Sequence, residues 1–240
     1  REEPRVLYGS ERERIIGGYI VSPYSARYLV SLKRSSSSVH FCGGSLVSRF
    51  WVLTAAHCKT ESLGQEDVVI DLIVKSVVAD LGFLKEREIR RCTSNTSKWR
   101  NINLSYLIPI FLQLNRPAFY NAFVSVVPLP IQGVSPIEGR LCQVSGWGFT
   151  STIGGKPSDT LRSVKLPIVP MRKYDLPVIQ NFLDNGFPDK GSDTYSGGPL
   201  VCDGKVYGVV SWGHSCANPK YPGVYTAVAN FQRWIYRTIV

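Results

Sequence analysis

The sequence predicts an all-β protein of two lobes closed by one C-terminal α-helix. Short apolar and β-branched runs, among them Tyr28–Leu32, Leu141–Ser145 and Leu161–Val169, stand between Gly, Ser and Pro clusters. That is the pattern of strands joined by turns. Midway, residues 121–136 hold Pro128, Pro130, Gly133 and Pro136, a connection between lobes. Only at the tail do Val228, Phe231 and Ile235 recur at helical spacing, with Trp234 beside them. A chain of 240 residues, 44% of them hydrophobic, can bury a sizeable core as one large β domain or two fused lobes.

Composition narrows the function classes. The net charge of +10 is spread from end to end and suits a basic protein that meets polyanions. Without a basic motif it points to no specific nucleic acid. Six cysteines are too few for a small disulfide scaffold, and no CxxC pair points to zinc. An oxidising, extracellular compartment fits them better. The most apolar run, Val68 to Leu84, is broken by Asp71, Lys75 and Asp80 and is no membrane span. Arg1-Glu2-Glu3-Pro4 is not the apolar start of a signal peptide, so the expectation is a trimmed or incomplete secreted chain.

Taken in order, residues 1–14 carry four Arg and four Glu without periodicity and end in Arg14, which reads as a leader. A glycine turn, Ile15-Ile16-Gly17-Gly18, follows. Tyr28–Leu32 is a strand and Ser35–Ser38 a loop. Trp51-Val52-Leu53-Thr54 ends a buried strand, and Ala55-Ala56 begin a tight helical turn that presents His57. Leu141–Ser145 is a strand running into the Gly146 turn, and Leu161–Val169 is another. A lone histidine, or a serine before two glycines, is ordinarily structural.

Together these stretches are more telling. Thr54-Ala55-Ala56-His57-Cys58 resembles, letter for letter, the histidine motif of the chymotrypsin/trypsin family of serine proteases. Ser145-Gly146-Trp147-Gly148, Ser196-Gly197-Gly198-Pro199-Leu200, Ser211-Trp212-Gly213 and Tyr221–Thr226 resemble further motifs of that family. The likeness covers blocks Ile15–Cys58, Leu114–Val169 and Gly191–Val240. It implies two packed antiparallel β-barrels, with a leader over 1–14 and a peptidase domain over 15–240 whose lobes span about 15–127 and 128–240.

The implied chemistry is acyl transfer at a peptide bond. Ser196 would be the nucleophile and His57 its general base and then acid. The backbone amides of Ser196 and Thr194 would hold the oxyanion. Ser211, Trp212 and Gly213 would line the substrate backbone, Gly213 and Gly223 would keep the pocket open, and Asp193 would sit at its base. Cleavage between Arg14 and Ile15 would be the activating step. The resemblance also implies disulfides Cys42–Cys58 and Cys142–Cys202; it implies no metal and no cofactor.

The resemblance lapses over 59–112 and 171–195. The family carries an aspartate that orients the histidine, and counting back from Leu114-Asn115-Arg116-Pro117-Ala118 puts Ile108 in its place. Asp80 lies only 23 positions after His57, about half the family's separation. The same stretch holds Cys92, a charge cluster from Lys85 to Arg91, and glycosylation sequons at Asn95 and Asn103. Tyr106–Gln113 looks like a translated intron end, so non-homologous sequence is expected near 59–112. Over 171–190 two cysteines usual in vertebrate trypsins are absent.

Trypsins read Gly-x-Asp-[Ser/Thr]-Cys-Gln-Gly-Asp before Ser-Gly-Gly; here Gly191-Ser192-Asp193-Thr194 is followed by Tyr195 alone. The economical alignment is a deletion, with Asp193 at the pocket base; a gapless count would place Lys190 there. The deletion removes the carboxylate that receives the ammonium of Ile15, the oxyanion-hole glycine, and the partner of Cys216.

The expectation is a trypsin-like serine endopeptidase of impaired or absent activity. The alternatives are a non-catalytic homologue that binds a protein or peptide through the retained cleft, or a defective gene product. The expected partners are protein or peptide substrates and polyanions, with no specific nucleic acid and no membrane span; a monomer is expected.

Overall fold

A computed structural model describes residues 18–22, 24–34, 40–58, 68–72, 98–100, 109–114, 116–147, 158, 160–169, 182–185, 197–212 and 223–239. Of residues 57, 68–72, 98–100, 109–110, 182–185, 212 and 223–224 it describes the backbone alone. The two antiparallel sheets and the closing helix that the sequence predicts are present.

The first sheet is built from β2 (Leu29–Arg34), β3 (His40–Ser48), β4 (Trp51–Ala55), β5 (Val68–Leu72), β6 (Lys98–Arg100) and β7 (Pro109–Gln113), in the order β5-β2-β3-β4-β7-β6. Both faces of its central strands are covered: Leu29, Val30, Leu32, Leu46, Val52 and Leu53 are fully buried, so a slip of one residue would exchange side chains between two packed faces. Gly44 is required by close approach: a Cβ there would meet Val52 Cγ1 at 2.7 Å and Val30 Cγ2 at 3.0 Å.

Two of these strands fall inside the stretch expected to be non-homologous. β5 pairs with β2 over five residues, Val30↔Leu72 to Arg34↔Val68. β7 pairs with the whole of β4, from Trp51↔Gln113 to Ala55↔Pro109. Phe111 and Leu112 are fully buried in the first core. Over 68–72 and 109–113 these residues are ordinary members of the sheet. Pro109 is tolerated because it opens the strand, where its missing N–H costs no interior ladder bond.

The second sheet holds β1 (Tyr19–Ile20), β8 (Leu141–Gly146), β9 (Arg162–Val169), β10 (Phe182–Asn185), β11 (Pro199–Cys202), β12 (Lys205–Trp212) and β13 (Gly223–Ala227). Their order is β1-β9-β10-β13-β12-β11-β8, and β8 also pairs with β9, which curls the sheet back on itself. Asp203-Gly204, at φ 50° and 74°, makes the two-residue turn between β11 and β12. That is the positive-φ hairpin turn that Asp-Gly favours.

The chain ends tie the two sheets together. β1, at the N-terminal side, pairs with Arg162 and Ser163 of β9 in the second sheet. The C-terminal α1 (Gln232–Ile239), entered through a 3₁₀ turn over Val228–Phe231, packs on the core of the first. Trp234 meets Phe111 at 5.1 Å between ring centroids, and Ile235 is fully buried. One core cluster thus holds Leu46, Leu53 and Phe111 together with Val206, Val209 and Val228. Among the described residues no helix is long and apolar enough to cross a membrane.

Candidate active site

β4 delivers the histidine. Its five residues are all buried and it runs directly into a 3₁₀ turn, Ala56–Cys58, whose middle residue is His57. Cys58 is bonded to Cys42 of β3, which pins the far end of that turn to the sheet. The His57 backbone is therefore held on both sides; its side chain lies outside the described residues.

The segment that follows Ser196 is closely seated. Gly197, the chain neighbour of Ser196, is buried at φ +79°. A Cβ there would fall on Thr54 Oγ1 and would stand 2.6 Å from Gly43 O and 2.9 Å from Cys58 Sγ. Thr54 is fully buried, and its hydroxyl donates to Gly43 O at 2.8 Å. Only glycine meets both conditions, left-handed dihedrals and contact with a neighbouring backbone. The Gly197 N–H donates to Val210 O at 2.9 Å, and the Val210 N–H donates to Gly198 O at 2.9 Å. Pro199–Cys202 then continues as β11, bridged through Cys202 to Cys142 on β8.

Ser211 follows Val210 at a register irregularity between β12 and β13, where the pairing moves from Val210↔Tyr225 to Trp212↔Val224. Such a bulge re-aims the residue it contains, and Ser211 is buried. The Gly223 backbone opens β13 opposite Asn185 of β10. Three segments thus converge: the His57 turn, Gly197–Gly198 and Val210–Ser211. The contacts that Thr54 and Gly43 make with Gly197 were not singled out by sequence reasoning; the signal was a β-branched Thr one residue before the end of a buried strand that leads into the histidine turn.

A second histidine is structurally engaged. His40 Nδ1 lies 2.6 Å from Ser31 Oγ, and its ring stands 5.4 Å from that of Trp147. Burial drives the phenol of Tyr225, which pairs with Val210, well above its usual range, and elsewhere pushes Tyr28 up to about 12.

Arg14, Ile15, Asp80, Cys92, Asn95, Asn103, Ile108, Lys190, Asp193, Thr194, Tyr195, Ser196, Gly213 and Cys216 lie outside the described residues, as does the Trp212 side chain. Both disulfides implied by the resemblance, Cys42–Cys58 and Cys142–Cys202, are formed. Among the described residues no group of three or more His, Cys, Asp or Glu is gathered to hold a metal.

Comparison with known proteins agrees with this arrangement. The family model described as Trypsin matches residues 15–235. Trypsin-3 of Salmo salar is 36% identical over 240 residues, covering 95% of this chain and 94% of the salmon protein. Trypsin of Xenopus laevis is 36% identical over 238 residues, covering 95% of this chain and 91% of the frog protein. Among solved structures, neuropsin, a serine protease expressed in the limbic system of mouse brain, superposes with a TM-score of 0.74 at 26% identity. That superposition covers 93% of this chain and 99% of neuropsin.

Proposed function

The chain belongs to the trypsin family of serine proteases, and we propose that it retains the family's catalytic scaffold while hydrolysing peptide bonds weakly or not at all. The observation that carries the scaffold is the seat of Gly197, the residue after Ser196, against Thr54 and Cys58 beside the His57 turn.

On that scaffold, Ser196 Oγ would attack the scissile carbonyl carbon as its proton passes to His57. The carbonyl π electrons would move to oxygen, facing the amides of Ser196 and Thr194. Collapse would break the C–N bond, with His57 returning the proton to the leaving amine. Water would then release the acyl group from Ser196 by the same two proton transfers. Asp193 at the pocket base gives a preference for Arg or Lys, with Ser211, Trp212 and Gly213 along the substrate backbone and Gly223 at the pocket wall.

Two departures limit the rate. Pro109 stands opposite Ala55, one residue before the histidine turn, and this register supports counting its chain neighbour Ile108 as the position of the orienting carboxylate. In serine proteases of this family, replacing that aspartate lowers turnover about 10⁴-fold, roughly 5.5 kcal/mol of barrier. Tyr195, alone where four residues are usual, offers no carboxylate for the ammonium that cleavage at Arg14 creates on Ile15. An unpaired buried ammonium costs several kcal/mol, so cleavage would not order the pocket. The same shortening supports a second reading, a non-catalytic homologue that binds peptide or protein in the cleft. The two disulfides support an extracellular location, and the zymogen arrangement belongs to the same proposal.

The test is reaction with an active-site phosphonate before and after cleavage at Arg14. Absent or very slow labelling of Ser196 in a cooperatively folded sample is the expected result. Rapid stoichiometric labelling would overturn the proposed impairment, and failure of the sample to fold would overturn the retained scaffold.

A further inference from the structure

A second exposed surface lies at the opposite end of β4 from His57. The β3–β4 turn is Arg49-Phe50, and both residues are exposed. Its carbonyls anchor a neighbouring segment: the Leu114 N–H donates to Phe50 O and the Ala118 N–H to Arg49 O, each at 2.7 Å. That segment presents Phe119 at 65% exposure and Tyr120 at 41%, beside Phe50 at 44%. The Arg49 guanidinium lies over the Tyr120 ring, 4.9 Å from its centroid. Further along, Ser125 N–H donates to Arg27 O, and Tyr24, 59% exposed, stacks on Phe123 with centroids 5.1 Å apart. The Asn121 side chain accepts from the Phe123 and Val124 N–H groups and fixes the bend between Tyr120 and Phe123.

This strip is apolar at its centre and cationic around it. Taking about 200 Å² for a full aromatic side chain, the four exposed rings leave roughly 400 Å² of apolar surface in water, a patch size that on a monomer is often functional. Arg27, Arg49 and Arg116 are exposed at its rim. Among the described residues none of the three is ion-paired, and neither 15–60 nor 89–137 contains Asp or Glu. Aromatic anchors with arginine beside them are the make-up of protein interface hot spots.

We propose that this face docks an acidic protein segment, one that sets carboxylates around an apolar centre. The arginine forks match carboxylates bidentately. Tyr24 is already stacked on Phe123 and Tyr120 is already covered by Arg49, so these side chains have less freedom to lose on binding. A sulfated glycan would engage the cations and leave the rings largely unused. A bilayer would need rings reaching beyond the cations, whereas Arg49 lies on top of Tyr120. The strip and the His57 turn are separated by the length of β4, about 17 Å at ~3.3 Å per residue, so a docked segment leaves the cleft open.

The experiment uses the full chain carrying Ser196→Ala, so that its outcome is independent of any hydrolysis. A fluorescent peptide alternating glutamate with leucine is titrated at low and at physiological salt, alongside its glutamine counterpart. Saturable binding that weakens with salt, is absent for the glutamine peptide, and falls about tenfold in Arg49→Glu and in Phe119→Ser is expected. Arg140→Glu, on a surface arginine paired to Asp203, leaves binding unchanged. Arg27→Gln and Tyr24→Ser provide a second pair should either first variant fold poorly. Equal binding of the glutamine peptide, or indifference to both pairs of variants, overturns the proposal. So does binding to heparin or to phosphatidylserine vesicles, lost in the same variants, when the peptide does not bind.

Discussion

Gly197 sits so close to Thr54 that a Cβ placed on it would fall on the threonine hydroxyl. The same Cβ would stand 2.6 Å from Gly43 O, and the backbone there has φ +79°. Gly197→Ala therefore combines left-handed strain with a clash against a buried strand and the Cys58 sulfur. Strain alone costs about 1–2 kcal/mol; the clash should carry the total beyond about 3 kcal/mol. Gly204→Ala is the control, since Gly204 has φ +74° but nothing within 4 Å of an added Cβ. Urea unfolding of both variants checks this, and equal losses would show that the contact with Thr54 is not what holds the loop.

Restoring activity should need two repairs at once. Ile108→Asp supplies an orienting carboxylate, and replacing Tyr195 with Cys-Gln-Gly-Asp restores the loop, but groups that act as a unit are strongly non-additive. Each repair alone is expected to leave hydrolysis of an arginyl amide substrate near background. Both together should raise it by about 10³-fold or more. Turnover from Ile108→Asp alone would mean that the Tyr195 loop is competent as it stands.

The strands carrying the site were legible because their burial leaves a plain trace. Trp51–Thr54 with the turn to His57, Leu161–Val169 and the spacing of Val228, Phe231 and Ile235 all correspond to β4, β9 and the C-terminal turn and helix. β7 was read against, because Pro109 and a run without alternation hide a strand buried at Phe111 and Leu112. β1 gave no signal: Tyr19 and Ile20 are exposed, and they belong to the second sheet only through pairing with a strand more than a hundred residues away. Gly197 was noticed as part of a motif, but its reason lies in Thr54 and Gly43, which no local pattern connects to it.

The exchange of chain ends predicts that the two sheets unfold together. α1 lies on the first sheet's core through Trp234 and Ile235, while β1 pairs into the second sheet. Ile235→Ala removes a fully buried side chain and should cost about 2–5 kcal/mol. Calorimetry should show one transition in both parent and variant, shifted downward in the variant. Two resolved transitions in the parent would mean that the shared core does not couple the lobes.

The disulfides should rank by the loops they close. Cys42–Cys58 spans 16 residues and Cys142–Cys202 spans 60. Chain entropy then gives about 3 kcal/mol for the first and about 4 kcal/mol for the second. Paired Cys→Ser variants, compared by urea midpoint at equal slope, test the order. A larger loss from the shorter loop would place the contribution of Cys42–Cys58 in the native packing around Gly197 rather than in the unfolded chain.

Alkaline pH should weaken the fold through two phenols. Burial raises both Tyr28, to about 12, and Tyr225, further still, from an ordinary value of 10.0. The folded chain therefore holds protons that the unfolded chain releases above pH about 10, and bound protons in the native state make stability fall as pH rises. The contribution is fully present below pH 10, declines by at most about 1.4 kcal/mol per pH unit for each tyrosine, and for Tyr28 is gone once its folded-state value of about 12 is passed. Melting temperature followed from pH 8 to pH 12 should drop above pH about 10, and Tyr28→Phe should flatten the fall. A melting temperature that stays level across that window would mean that neither phenol is kept neutral by the fold.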